Sequence, residues 1–325
     1  FSNETSYTVP TPSTNQSPTL NALGIVTLNE DAGAQVVSLS GITSGSVSEI
    51  QTLTVTAVSS DPALIPNPTV SYTSPSVNGS LSFAPVANAS GTATVTVTVN
   101  DGQAVNNVVR QTFTVTVDAI NDAPTLNALN NLTLAENAAQ QSLSLTGVGT
   151  GAANETQTLT VTATSSNPSL IPNPTVNYTS PNTSGSLIFT PVVNANGTAT
   201  ITVTVNDGQA INNTATRTFA VNVSAVNQRP TLAAISDVTI NEDASGQTVG
   251  LTGVGTGATN ESQTLSITAV SSNPSLIPNP SVSYSSPNAS GNLSFTPVAN
   301  ANGNATITVT VNDGQALNNT VSQSF

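Results

Sequence analysis

Six oxygen-bearing residues have the makeup of a cation site: Glu30, Asp31, Asp118, Asn121, Asp122 and Asp207. Calcium is held by roughly six to eight oxygens from carboxylates, amides and carbonyls. Glu30 and Asp31 close what reads as the first strand of a repeat, Asp118 to Asp122 lie between two repeats, and Asp207 stands in the last hairpin of the next. A sandwich brings the turn after its first strand close to its own exit, so the six are expected at the junction of residues 118–124. The second junction offers Glu136, Asn137, Ser224, Asn227, Gln228 and Asp313 beside Arg229, with only two carboxylates. Calcium is therefore expected at the first junction alone. Against it stands the ordinary use of Asp and Asn, which form turns by bonding their own backbone.

Other chemistry is scarce. The chain has no His and no Cys, so a Ser or Thr nucleophile lacks its usual base. Glu242 and Asp243 are neighbours in sequence, and strand neighbours point to opposite faces. The glycine-rich GVGTG at 147–151 and 253–257 precedes no helical pattern, so it lacks the dipole of a phosphate loop and reads as a turn. The expectation is a protein that is not an enzyme and needs no cofactor. Asn78, Asn154, Asn182, Asn196 and Asn288 stand in Asn-x-Ser/Thr sequons and are candidates for glycosylation. The abundance of Asn, Ser and Thr accounts for most of these by chance.

Sixteen acidic residues face three arginines, Arg110, Arg217 and Arg229, for a net charge of −13. Nucleic acid requires clustered Lys and Arg, and no such cluster exists. No apolar run approaches the roughly 20 residues of a membrane span, so no membrane insertion is expected. Charged residues make up 6% and aromatics 3%. With charge this sparse and valines evenly spaced, the chain reads as folded, not disordered.

The elements that must position these residues repeat. VTVNDGQA occurs three times, placing Asp101, Asp207 and Asp313 at a spacing of 106 residues, and LIPNP recurs in the same phase from Leu64, Leu170 and Leu276. A period of this length is a whole small domain. Within it Ala93-Thr94-Val95-Thr96-Val97-Thr98-Val99 alternates apolar and polar residues, the pattern of a strand with one buried face. Strands are expected near 20–28, 35–40, 51–60, 69–73, 80–84, 92–99 and 110–118, separated by Gly, Pro and Asn clusters. Seven short strands in about a hundred residues are the sandwich signature. The fold class is all-β: a tail over 1–17, then immunoglobulin-like β-sandwich domains over 18–123, 124–229 and 230–325. Tyr72, Phe83 and Phe113 are expected to anchor the first core. Pro124 and Pro230 end the two linkers and favour extended joints.

Asn121-Asp122-Ala123-Pro124, the pairs Glu30-Asp31 and Glu242-Asp243, and VTVNDG before a hairpin resemble bacterial immunoglobulin-like and cadherin-like tandem repeats. The resemblance covers nearly all of 18–325 and implies an extracellular or cell-surface setting. It extends to no particular ligand. The second linker departs from it, with Gln228-Arg229 where the first has Asp122-Ala123.

The repeat is out of phase at its ends. Phe113 and Phe219 each lead into the second half of a last strand, and their third equivalent is Phe325, so the third domain is short of half a strand. Tyr7-Thr8-Val9 aligns with Phe113-Thr114-Val115, which gives the tail the phase of a last strand. The expectation is a structural subunit of a bacterial extracellular fibre. It would assemble with itself, head to tail, by donating residues 1–9 to the acceptor end at Phe325 of a neighbour. A spacer segment of a long surface adhesin and a disordered leader are the alternatives for these ends. A carbohydrate-binding module, with surface glycans as partner, is the remaining alternative and lacks exposed aromatic platforms. A first residue other than Met is expected to reflect a removed signal peptide.

Overall fold

The computed structural model describes residues 14–325, and every regular element among them is a β-strand. The first domain comprises β1 (Val26–Asn29), β2 (Gln35–Ser40), β3 (Thr54–Ser59), β4 (Thr69–Ser71), β5 (Asn78–Phe83), β6 (Gly91–Asn100) and β7 (Val108–Asp118). These form two facing sheets of order β1-β7-β6-β3 and β2-β5-β4. The second repeats them as β8 (Leu132–Ala135), β9 (Gln141–Thr146), β10 (Thr160–Ser165), β11 (Thr175–Asn177), β12 (Ser184–Phe189), β13 (Gly197–Asn206) and β14 (Thr214–Ser224). Its sheets are β10-β13-β14-β8 and β11-β12-β9, the same order.

The third domain has β15 (Gln247–Thr252), β16 (Ser266–Ser271), β17 (Ser281–Ser283), β18 (Ser290–Phe295), β19 (Ile307–Asn312) and β20 (Thr320–Ser324). Its sheets, β16-β19-β20 and β15-β18-β17, have three strands each. The fold is that of tandem immunoglobulin-like β-sandwiches.

Alternation builds each core. In β6 the side chains of Ala93, Val95, Val97 and Val99 are buried while the intervening threonines face outward. β-Branched Val and Thr suit the pleat on both faces. β6 pairs antiparallel with β7 along its whole length, from Gly91↔Val117 to Asn100↔Val108. β2 and β5 supply the opposite face through Leu39, Leu81 and Phe83. Phe83 and Phe113 meet with ring centroids 6.3 Å apart, and Tyr72, half-buried, packs against the same cluster.

Of the expected first strand over 20–28, only the end forms a strand, and the start is tied to the loop after β2. Thr19 and Asn21 donate their N–H groups to Thr43 and Ser40 at the end of β2, both at 3.0 Å. Only Val26–Asn29 joins the other sheet, in parallel with β7 from Val26↔Val115 to Asn29↔Asp118. Gly24, with open space around its Cα, lies at the crossing.

Two compact units emerge. One holds residues 14–125 together with two loops of the second sandwich, 149–159 and 206–214. The other holds 126–148, 160–205 and 215–325. Each unit thus contains one complete linker and the loops that grip it.

Leu81 is fully buried between the sheets of the first domain. Leu81→Ala is expected to cost about 3 kcal/mol, lowering that domain's unfolding transition by at least 10 °C or so. Scanning calorimetry should show this transition moving alone, leaving that of the third domain in place.

Candidate functional site

The linker between the first two domains is seated by one side chain. Nδ2 of Asn121 donates to Oδ2 of Asp207 at 2.9 Å, to the Ile211 carbonyl at 3.0 Å and to the Asn212 carbonyl at 3.3 Å. Its Oδ1 accepts from Nε2 of Gln157 at 2.9 Å, and its carbonyl accepts from Nδ2 of Asn212 at 3.0 Å. Asp207 is buried, and its Oδ1 is bound by the backbone N–H of Gln209. Oxygens that would suit a cation thus converge on an amide nitrogen. A charge-assisted bond of this kind contributes about 1.5–3 kcal/mol, and a buried carboxylate stripped of it is costly.

The backbone approach is equally constrained. Gly151 has φ of +113°, and a Cβ there would lie 2.5 Å from the Ala123 carbonyl. Only glycine lets the linker lie this close. Thr125 N–H then donates to the Gly149 carbonyl at 2.9 Å, continuing the chain into the second domain.

The remaining residues of the expected calcium set each find amide partners. Glu30 is 4% exposed. Its Oε1 accepts the Ile120 N–H at 2.8 Å and its Oε2 accepts from Nδ2 of Asn154 at 3.0 Å. Asp118 takes part through its backbone carbonyl, which accepts the Glu30 N–H. Asp31 forms the turn after β1 with φ of +62°, and its Oδ1 accepts the Asn88 N–H at 2.9 Å. In the second domain Asn137 makes the same bond to Asn194, so the turn requires an oxygen and no charge. With its oxygen and nitrogen exchanged, the orientation that its surroundings favour, the Asn88 amide donates to Oδ2 of Asp122 at 3.1 Å and Oδ2 of Asp31 at 3.3 Å.

The structure therefore brings Asn121 to Asp207 and Asp31 to Asp122, but it does not gather the six around one point. Among the described residues no group of three or more carboxylates is placed to hold a metal. Partial burial first, then the charges of Glu155, Asp31 and Glu30, push the Asp122 carboxyl above its ordinary value of 3.8.

The joint also uses Glu155 and Gln157, unmarked in the sequence analysis, and Asn154, marked there only as a sequon. Glu155 accepts the Asp122 N–H at 2.8 Å. Their signal was the Glu-x-Gln that recurs at Glu49/Gln51, Glu155/Gln157 and Glu261/Gln263. At the second junction Asn227 donates to Asp313 at 2.9 Å and accepts from Gln263 at 2.8 Å, while Asn260 donates to Oε2 of Glu136 at 3.1 Å. Ahead of the first domain, Asn15 makes the corresponding bonds to Asp101 and Gln51, both at 2.9 Å. Of the glycosylation candidates, Asn78, Asn182, Asn196 and Asn288 are exposed. The amide nitrogen of Asn154, where a sugar would attach, is instead bonded to Glu30.

A second feature lies in the third domain. The C-terminal halves of β7 and β14 bury Val115, Val117, Val221 and Val223. They also pair with the first strand of their own domain. β20 is five residues long where β7 and β14 have eleven. Accordingly β19 is shortened to six residues from the ten of β6 and β13, and Val238–Asn241 forms no strand. Between them opens a groove of about 460 Å³ whose apolar lining includes Ile240, Leu276, Ile277, Phe295, Ile307 and Phe325. Ile277 is 8% exposed where its counterparts Ile65 and Ile171 are at 0%. Phe325 is in register, exchanging backbone hydrogen bonds with Ile307 at 3.1 and 2.9 Å. Tyr7, Thr8 and Val9, the expected donor residues, lie outside the described part of the chain.

Two substitutions test the joint. Asn121→Asp keeps the shape but faces one carboxylate with another, and is expected to destabilise by about 2 kcal/mol or more; recovery on adding calcium would instead favour an oxygen cage. Asp122→Asn should raise the melting temperature at neutral pH. A raised folded-state pKa means that folding favours the protonated form, a contribution present below the ordinary value and lost as pH rises. The advantage of Asp122→Asn should therefore vanish as the pH falls below 3.8.

No curated protein matches the chain. Among solved structures, human CDH23 EC21-23 matches with 12% identity, a TM-score of 0.45 and coverage of 95% of this chain and 99% of that one. The extracellular cadherin domains 1-4 of Protocadherin Gamma B7 match with 14% identity, a TM-score of 0.41 and coverage of 95% and 75%. The titin domains Z1Z2, solved in complex with telethonin, match with 15% identity, a TM-score of 0.30 and coverage of 66% and 99%. A family profile described as "Bacterial Ig domain" matches residues 121–222 and again 227–325. With well over half of its residues covered by two successive matches, the chain belongs to the bacterial Ig domain family.

Proposed function

We propose that this protein is a structural subunit of a bacterial extracellular fibre, in which residues 1–9 of one copy complete the third domain of the next. Tandem bacterial Ig domains point to an extracellular structural or adhesion-related repeat protein, and modules of this kind are typically not enzymes. The observation that carries the finer reading is the groove in the third domain, bordered by Val238–Glu242 and Gly303–Ile307. Its floor is apolar, and both borders are in the positions that in the first domain flank the second half of β7. A strand with alternating apolar residues fits such a slot, taking main-chain bonds from the borders and burying side chains on the floor. Tyr7-Thr8-Val9 has the phase of that strand. A donor ending at Val9 avoids Pro10, which lacks a ladder N–H. Donation from each copy to the next is heterologous and does not close, which builds a filament.

The lock made by Asn15 supports the same reading, since it gives residues 14–17 the role of a linker. It equally suits a spacer in a longer adhesin, where the continuing chain would fill the groove in cis. The precursor's length separates the two.

Deleting residues 1–9 is expected to leave monomers under conditions in which the full chain forms polymers by sedimentation velocity. A synthetic peptide of residues 1–9 in excess should shorten the polymers by occupying the groove. Polymers that persist after the deletion would sink the proposal.

A further inference from the structure

The outward faces of the three-stranded sheets carry rows of mainly hydroxyl and amide side chains. In the first domain one row runs Ser38, Ser80 and Ser71 across β2, β5 and β4. In the second it runs Ser144, Ser186 and Asn177 across β9, β12 and β11. The third domain departs from both. Its row is Gly250, Asn292 and Ser283 across β15, β18 and β17, a sheet with the same three strands as its counterparts. One serine has lost its side chain, and its cross-strand neighbour has become an amide.

The exchange opens a hollow. A Cβ at Gly250 would meet nothing within 4 Å, so no neighbour has taken the place of the missing side chain. A cavity of about 450 Å³ lies here, its lining including Gly250, Thr252, Ser283, Tyr284, Asn288 and Asn292. Small-ligand sites span roughly 300–1,000 Å³. Asn288 and Asn292 are both exposed, and their amides take no hydrogen bond among the described residues. Tyr284 comes close to β18 because Gly291 has no side chain; a Cβ there would lie 3.2 Å from the ring. The Tyr284 hydroxyl is buried and has no partner among the described residues, but the same holds for Tyr72 and Tyr178. Gly250 and Asn292 are therefore what set the third domain apart.

Charge decides the class of ligand. No Asp, Glu or Arg lines the cavity, although the chain as a whole carries −13. An ion would lose hydration there with no opposite charge to replace it. Amides and hydroxyls both donate and accept, a mixture that suits a neutral ligand rich in hydroxyl groups. Asn292 stands on the central strand of its sheet, so an added peptide strand finds no free backbone beside it. We infer that this cavity binds a neutral sugar residue, with the amides of Asn288 and Asn292 bonding its hydroxyls beside Tyr284. The site gives the third domain a contact for glycans that is independent of how copies of the chain join.

The test uses the full chain made without glycosylation, because Asn288 and Asn292 both stand in Asn-x-Ser sequons. Saturation-transfer NMR with glucose, galactose, mannose and N-acetylglucosamine, each alone at millimolar concentration, should show transfer to at least one. Gly250→Ser combined with Asn292→Ser restores the row of the first domain and should weaken that binding about tenfold or more, the effect of losing one hydrogen bond. Melting should be unchanged, since the side chain at 250 enters open space. The converse pair, Ser144→Gly with Ser186→Asn, should give the second domain a site and double the sugar bound at saturation. Asn182 already stands there in the place of Asn288, and a gain of binding cannot come from lost stability. Transfer to none of the four sugars would overturn the inference. So would unchanged binding by the chain carrying Gly250→Ser and Asn292→Ser.

Discussion

The second half of the last strand is the piece on which each sandwich depends. In the first domain Phe113, Val115 and Val117 fill the core from this segment, its backbone pairs with β6 on one side and β1 on the other, and it runs directly into the linker. Core, sheet order and joint are therefore coupled through about six residues. In the third domain β20 ends at Ser324, β19 has six residues and 238–241 lie outside the sheet.

In the joints of this sparsely charged protein, amides bond several of the carboxylates. Asn121 is placed among Asp207 and two carbonyls, Asn88 between Asp31 and Asp122, and Asn154 against Glu30. An amide supplies two directed protons and no charge, so a carboxylate can be bonded without the dehydration of a cation. The cost shows at Asp122, whose carboxyl is pushed upward by burial and by neighbouring acids. The second linker has Gln228 at this position and escapes that repulsion. The two joints are thus alike in geometry and differ in the charge carried at this position.

Much of this was legible in advance because strand alternation and a 106-residue repeat are local, additive signals. Val95, Val97 and Val99 announce a buried face whatever surrounds them. The first strand was less legible: residues 20–28 carry apolar positions throughout, yet Leu20 and Leu28 are buried in a chain that crosses from one sheet to the other. Alternation cannot tell which sheet a residue joins. The joint was half legible. Asp207 was placed at the junction from topology, but the amides that bind the carboxylates belong to loops far away in sequence. Gln157 is 36 residues from its partner Asn121 and Asn154 is 124 from Glu30.

By itself, then, the sequence determined the class of fold, the number of repeats and the phase of their ends, because periodicity and composition are written along one dimension. Tertiary structure decided which donors the acidic residues meet. Whether a carboxylate meets a cation or an amide depends on the direction of donors brought in by other loops, and no spacing along the chain carries that information.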